Sequence, residues 1–93
     1  MKTIWKFEIP IEDKFSLKMP YAAEILAAQI DQKTGNPCIW AIVETDNEQE
    51  ERTFVLYGTG NPIENYYLVP LNYIGTYQYN GGNFVGHVFE FCN

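Results

Sequence analysis

The sequence predicts a mainly β fold, a small antiparallel barrel or sandwich of six to seven strands in a single domain that spans residues 1–93. Apolar and polar residues alternate with the period of a half-buried strand at residues 2–9, 53–57 and 84–91. Short segments rich in glycine, proline and asparagine separate the apolar runs, as turns do. A chain of 93 residues is long enough to bury one hydrophobic core and too short for two.

The first two predicted strands are each bounded by a proline. The alternation at residues 2–9 stops at Pro10, because proline has no N–H group for the hydrogen-bond ladder. A second alternation at residues 15–19 runs into Pro20. We therefore expect each of these strands to end at or near its proline.

Residues 21–31 fit two interpretations. Their alanines favour a helix, and Pro20 would stand just before its first turn. As a strand, the segment would instead form a hairpin with the apolar run at residues 38–43, through the turn-like residues 32–37. We favour the strand, because a hairpin buries both apolar runs through a local connection, and we keep one short helix near residues 21–31 as the alternative.

Residues 52–61, with the sequence Arg-Thr-Phe-Val-Leu-Tyr-Gly-Thr-Gly-Asn, are the stretch around which the other elements can be placed. We expect a strand that ends in a tight turn, since Gly58 and Gly60 can adopt backbone angles closed to other residues. The turn would expose backbone N–H groups beside the Thr59 hydroxyl, an arrangement that can hold an anion. Short Gly-x-Gly turns are also ordinary chain reversals, so both interpretations stay open.

The remaining segments complete the predicted sheet. Residues 38–43 are apolar throughout, as in a central strand that is covered on both faces, and an acidic loop follows at residues 44–51. A strand at residues 73–79 would place its three tyrosines on one face. The sequence Asn-Gly-Gly-Asn at residues 80–83 is typical of a hairpin turn into the last strand, at residues 84–91.

Charge and cysteine content limit the partners and the compartment. The formal net charge is −6 and no Lys or Arg follows Arg52, so neither DNA nor RNA is expected as a partner. No run approaches the roughly 18 apolar residues of a membrane span, and the first residues lack the apolar core of a signal peptide, so no membrane association is expected. Cys38 and Cys92 are expected to be reduced thiols of a cytoplasmic protein.

The sequence offers little for catalysis. His87 is the only histidine and Ser16 the only serine, and they lie at opposite ends of the chain without the sequence context of a nucleophile. One histidine with two scattered cysteines is a poor set of ligands for zinc. We therefore expect no enzyme activity, no metal and no cofactor. The simplest interpretation of His87 is a histidine at the edge of the core.

A binding site is easier to assemble than a catalytic one. Aromatic rings would stack on a planar ligand, the turn at residues 58–60 would donate N–H groups to a phosphate, and Arg52 would supply a charge-assisted contact. The residues predicted to line this ligand-binding site are Trp40, Arg52, Tyr57, Gly58, Thr59, Gly60, Asn61, Tyr66, Tyr67, Tyr77 and His87. The alternative is that most of these aromatic side chains fill the core.

Five short motifs occur in order along the chain. They are Ile4-Trp5-Lys6-Phe7, Pro37-Cys38-Ile39-Trp40-Ala41, Tyr57-Gly58-Thr59-Gly60-Asn61-Pro62, Tyr73-Ile74-Gly75-Thr76 and His87-Val88-Phe89-Glu90. Over nearly the whole chain the sequence resembles a family of short, functionally uncharacterised proteins of tailed bacteriophages and prophages. The resemblance adds weight to a strand at residues 21–31. The family has a histidine at the position of Asn61 and a bulky residue at the position of Gly86, so the polar edge of the predicted site differs in this chain.

The resemblance implies a phage protein that acts in the cytosol of the bacterial host. By analogy with small non-enzymatic anti-defence proteins of phages, we expect a sponge that sequesters a small immune signalling nucleotide without turnover. The alternatives are an inhibitor that binds a host enzyme through the acidic loop at residues 44–51, and a structural or housekeeping phage protein. We also expect a homo-oligomer, because a small β domain has free strand edges that a second copy can pair.

Overall fold

The computed structural model describes residues 1–64 and 70–92. Within these two ranges the chain forms seven β-strands and one short turn of 3-10 helix. The strands are β1 (Lys2–Glu8), β2 (Lys14–Pro20), β3 (Glu24–Ile30), β4 (Pro37–Glu44), β5 (Gln49–Gly58), β6 (Leu71–Tyr79) and β7 (Phe84–Phe91), and the helical turn is Asn80–Gly82. The prediction of a mainly β fold is confirmed, and the first two strands end near Pro10 and at Pro20 as expected.

The strands form two antiparallel sheets that pack face to face. Sheet A has the order β1-β4-β3, and sheet B has the order β2-β5-β7-β6. Every ladder within the sheets is antiparallel. No ladder joins sheet A to sheet B within the described residues, so the fold is a sandwich and not a closed barrel.

Residues 21–31 contain a strand and not a helix. β3 covers Glu24–Ile30 and pairs with β4. The turn between these strands is closed by two hydrogen bonds, from the Asp31 N–H to the Asn36 oxygen at 2.8 Å and from the Gly35 N–H to the Asp31 oxygen at 2.7 Å. The alternative of a short helix is therefore wrong, because pairing with an apolar neighbour outweighs the helix propensity of the alanines. The described residues contain no helix long and apolar enough to cross a membrane.

The core lies between the two sheets. Alternate residues of β4 and β5 point into it, namely Ile39, Ala41 and Val43 from sheet A and Phe54 and Leu56 from sheet B, and none of the five is more than 4% exposed. The other buried members of this cluster are Ile9, Phe15, Met19, Ala23, Ala28, Tyr77 and Val88. Each large apolar side chain that is fully buried there contributes roughly 1.5–3 kcal/mol relative to full exposure.

β3 and β6, each the outermost strand of its sheet, run side by side and touch at Gly75. A Cβ atom at Gly75 would lie 2.8 Å from the Ala28 carbonyl oxygen and 3.1 Å from the Ala28 nitrogen. Both contacts are with backbone atoms, which cannot rotate away as a side chain can, so this position requires glycine. Each of the two strands thus covers the outer edge of the other.

Tyr77 carries a buried hydroxyl. Its side chain is 2% exposed, and its ring packs edge-on against Phe84 with 6.2 Å between the ring centroids. The hydroxyl has no hydrogen-bond partner within the described residues. Burial raises the pKa of Tyr77 to about 12, because the phenolate form would lose its hydration. Tyr77 is therefore a residue of the core and not of the predicted binding site.

Replacing Tyr77 with Phe should stabilise the fold by about 1 kcal/mol, because the ring is kept and a buried hydroxyl that has no hydrogen-bond partner within the described residues is removed. In the wild type the folded state holds the Tyr77 proton to a higher pH than the unfolded state does. The free energy of unfolding should therefore fall as pH rises from 10.0 to about 12, and should fall less steeply in Tyr77→Phe. Urea unfolding of both proteins at neutral and alkaline pH measures both effects. A variant that is less stable than the wild type, or equally sensitive to alkali, would contradict this view of Tyr77.

Candidate functional site

The predicted turn after β5 is present. β5 ends at Gly58, and the Asn61 N–H donates to the Gly58 carbonyl oxygen at 3.0 Å, which closes a β-turn. Gly60 has a φ of +90°, a left-handed angle that favours glycine. The Thr59 N–H donates to the Val85 carbonyl oxygen of β7 at 3.1 Å. The amides of Thr59 and Asn61 are thus used within the protein, which leaves fewer N–H groups for an anion than the sequence prediction assumes.

The Thr59 side chain instead takes part in a series of hydrogen bonds on the outer face of sheet B. Thr59 Oγ1 lies 2.7 Å from His87 Nε2, and Thr76 Oγ1 lies 2.9 Å from His87 Nδ1. Tyr73 OH lies 2.6 Å from Thr76 Oγ1. We name these four side chains, Tyr73, Thr76, His87 and Thr59, the hydroxyl–imidazole series. It joins β6, β7 and the turn that follows β5.

Strand register brings the series together. On β7, His87 pairs with Tyr57 of β5 on one side and with Thr76 of β6 on the other. Directly paired residues of antiparallel strands direct their side chains to the same face. Thr59 follows Tyr57 by two residues and so returns to that face. The position of His87 is therefore a consequence of the two ladders that β7 makes.

The hydrogens of the series can be ordered in two directions. A neutral imidazole has one N–H donor and one acceptor nitrogen, and a hydroxyl can donate one hydrogen while it accepts another. If Tyr73 donates towards Thr76, the Thr59 hydroxyl at the far end keeps a hydrogen for a ligand. If the order is reversed, the Tyr73 hydroxyl keeps it. In either order one end of the series offers a donor and the other end an acceptor.

Two further aromatic rings, those of Phe89 and Tyr57, lie beside the series and the Tyr73 ring that belongs to it. The Phe89 ring packs edge-on against Tyr57 and Tyr73, with 5.9 Å and 5.5 Å between the ring centroids. The simple alternation predicts that Tyr73 shares a face with Tyr77. A bulge in β6 after Tyr73 instead places Tyr73 on the same face as Phe89. The sequence prediction omits Phe89, Tyr73 and Thr76. Phe89 is predictable from the sequence, because it follows His87 by two residues in the same strand and so shares its face. Nothing in the sequence indicates the bulge.

The residues predicted for the binding site do not all meet. Those that lie at this face or in its turn are Tyr57, Gly58, Thr59, Gly60, Asn61 and His87. Trp40 lies on β4 in sheet A, and Tyr77 lies in the core. Arg52 lies near the opposite end of β5 from the turn. Tyr66 and Tyr67 fall outside the described residues.

Arg52 forms an ion pair inside the sandwich. It donates from Nε to Glu90 Oε2 at 2.6 Å and from Nη2 to Glu90 Oε1 at 2.8 Å, and these bonds raise the pKa of Arg52. Its Nη1 donates to the Ala23 carbonyl oxygen at 2.5 Å, which ties sheet B to the segment before β3. A strand rises about 3.4 Å per residue, so Arg52 is roughly 20 Å from Thr59. The expectation of a contact between Arg52 and a ligand at the turn is therefore wrong.

Replacing Arg52 with Met should lower the free energy of unfolding by about 2 kcal/mol, because it leaves the Glu90 carboxylate without its partner. The two side chains are 18% and 14% exposed, so water replaces the lost bonds only in part. The double variant Arg52→Met, Glu90→Gln should recover part of the loss, since no unpaired charge remains. Urea unfolding of the two variants and the wild type gives the values. An Arg52→Met variant as stable as the wild type would contradict a structural role for the pair.

Comparison with known proteins places the chain in one family. No curated protein and no solved structure matches it. A family model with the description domain of unknown function (DUF7352) matches residues 1–92, a range that includes all seven of the described strands and the hydroxyl–imidazole series. The chain therefore belongs to the DUF7352 family of domains of unknown function.

Proposed function

We propose that this domain binds a small nucleotide on the outer face of sheet B and does not turn it over. The observation that carries the proposal is the hydroxyl–imidazole series, in which four polar side chains are joined by hydrogen bonds at an accessible surface. Polar groups held at fixed spacings can meet the donors and acceptors of a base edge, a sugar or a phosphate. Their mutual hydrogen bonds orient them before a ligand arrives, which reduces the entropy lost on binding.

The Tyr73 ring of the series and the two aromatic rings beside it would hold the base. Tyr73 is 58% exposed and offers the most accessible ring, while Phe89 and Tyr57 support it from the same face. A base that stacks on an aromatic ring gains roughly 1–3 kcal/mol. A hydrogen bond to a neutral hydroxyl adds about 0.5–1.5 kcal/mol. Sequestration at nanomolar concentration needs about −12 kcal/mol, so several such contacts must act together in a tight site.

The surroundings of His87 favour binding over catalysis. Each of its ring nitrogens lies within hydrogen-bond distance of a threonine hydroxyl, so among the described residues His87 lacks the carboxylate partner that orients the histidine of a catalytic triad. These contacts support a ligand that leaves the site unchanged.

The resemblance to proteins of tailed phages supplies the biological setting of the proposal. A phage protein that binds a signalling nucleotide in the host cytosol without turnover would act as an anti-defence sponge. The acidic loop, on which the rival inhibitor hypothesis depends, uses part of its charge within the fold. Glu44 Oε1 lies 2.6 Å from the Met1 amine, and Glu50 Oε2 accepts the Ala22 N–H at 2.9 Å. The hydroxyl–imidazole series is therefore the better supported site.

Calorimetric titration with a panel of cyclic and ADP-ribose-derived nucleotides tests the proposal. At least one nucleotide should bind, and heat release should return it unmodified. Thr59→Val and Thr76→Val should each weaken binding about fivefold, the equivalent of about 1 kcal/mol for one lost hydrogen bond. Thr53→Val is the matched control and should bind normally, because the Thr53 hydroxyl pairs with Ser16 at 3.2 Å on the same face of sheet B but far from His87.

Three results would overturn the proposal in different ways. Equal loss of affinity in Thr53→Val and Thr59→Val would show that the hydroxyl–imidazole series is not the binding site. Recovery of a cleaved nucleotide would indicate an enzyme. If no nucleotide binds, and one host protein is captured and then released by substitutions at Glu48 and Glu51, the inhibitor hypothesis takes its place.

A further inference from the structure

The edge strands of the two sheets differ in how their outer edges are protected. β1 and β3 end sheet A, and β2 and β6 end sheet B. β3 and β6 lie against each other at Ala28 and Gly75. In the described part of the chain, β1 and β2 have no neighbouring strand on the outer side. Such an edge presents backbone N–H and C=O groups that can pair with another chain.

The backbone groups that β1 turns outward can be identified from its bonds to β4. The Ile9 N–H donates to the Pro37 oxygen at 3.0 Å, and the Thr45 N–H donates to the Met1 oxygen at 2.9 Å. Because hydrogen-bonded residues alternate along an antiparallel ladder, the odd-numbered residues of β1 face β4. The residues that face the free edge are therefore Lys2, Ile4, Lys6 and Glu8.

Two copies of β1 can pair antiparallel about a two-fold axis. The charged residues of β1 favour the register in which Trp5 lies on this axis. Pairing about Trp5 sets Lys2 opposite Glu8 at each end and Ile4 opposite Lys6. Pairing about Ile4 would set Lys2 opposite Lys6 at each end, and pairing about Lys6 would set the two Lys6 side chains opposite each other. Opposite charges across two strands stabilise the pair and like charges destabilise it. Pairing about Phe7 also sets Lys6 opposite Glu8, but it overlaps only residues 6–8, so the register about Trp5 is the one in which the whole of β1 is complementary to itself.

The free edge of β2 is not complementary to itself. The Leu56 N–H donates to the Asp13 oxygen at 2.9 Å, so the same alternation applies with the odd-numbered residues facing β5. The residues that β2 turns outward are Lys14, Ser16, Lys18 and Pro20. The charged members of this set are both positive, and Pro20 has no N–H to donate. β1 is therefore the edge that a second copy can extend.

We propose that the protein forms a two-fold symmetric dimer through β1, with the Trp5 residues of the two copies opposite each other. Sheet A of each copy, three strands wide, then becomes half of one continuous sheet. Trp5 is 38% exposed and Ile4 is 55% exposed in the single chain, and both lose contact with water at this junction. The dimer does not depend on nucleotide binding, so each proposal can fail without the other.

Sedimentation equilibrium over a protein concentration series tests the dimer, and the wild type should reach twice the mass of one chain. Lys2→Glu sets two carboxylates opposite each other at both ends of the junction and should raise the dissociation constant about tenfold or more. Glu8→Lys should do the same with two ammonium groups. The double variant Lys2→Glu, Glu8→Lys restores opposite charges and should dimerise as the wild type does.

Lys14→Glu on the edge of β2 is the matched control, because it changes the net charge as Lys2→Glu does and should leave the dimer intact. Circular dichroism of each variant confirms that the fold is kept. A wild type that sediments as a monomer, a mass that rises without limit, or a double variant that stays dissociated would overturn the proposal. Equal dissociation by Lys14→Glu would do so as well.

Discussion

The close approach of β3 and β6 is the constraint on which the rest of the fold depends. At Gly75 a Cβ atom would lie 2.8 Å from the Ala28 oxygen, so the two sheets meet backbone to backbone. This contact shuts one side of the sandwich over the core and occupies the edge of one strand from each sheet. In the described part of the chain, the edges left open are those of β1 and β2. The contact that closes the core thus also determines which strand edges stay open.

The candidate site depends on the same region of β6. The bulge between Tyr73 and Gly75 turns the Tyr73 ring to the outer face, where it meets the hydroxyl–imidazole series. Behind the site, a Cβ atom at Gly86 would lie 2.8 Å from Leu56 Cδ1 and 2.9 Å from Tyr77 Cζ, so the Tyr77 ring occupies that space. Glycine here makes room for the Tyr77 ring beneath the site.

The sequence predicts the strands well because burial of one face imposes an alternation that is visible in local sequence, and it predicts the turn at Gly60 because few residues adopt its backbone angle. It fails where the outcome depends on distant pairing. Nothing near Arg52 indicates that its partner is Glu90, and nothing near Trp40 shows that it belongs to the other sheet from His87. Helix propensity at residues 21–31 misleads for the same reason, since the strand there is decided by its neighbour.

The claim that a ligand engages the hydroxyl–imidazole series can be tested at one residue. His87 is the only histidine, so its ring nitrogens give a single set of signals in proton–nitrogen correlation NMR spectra. A nucleotide that binds in calorimetry should shift both nitrogen resonances of His87, because each is bonded to a hydroxyl that the ligand would contact. The indole signal of Trp40, in the other sheet, should stay in place. Unchanged His87 resonances at saturating nucleotide would contradict the claim.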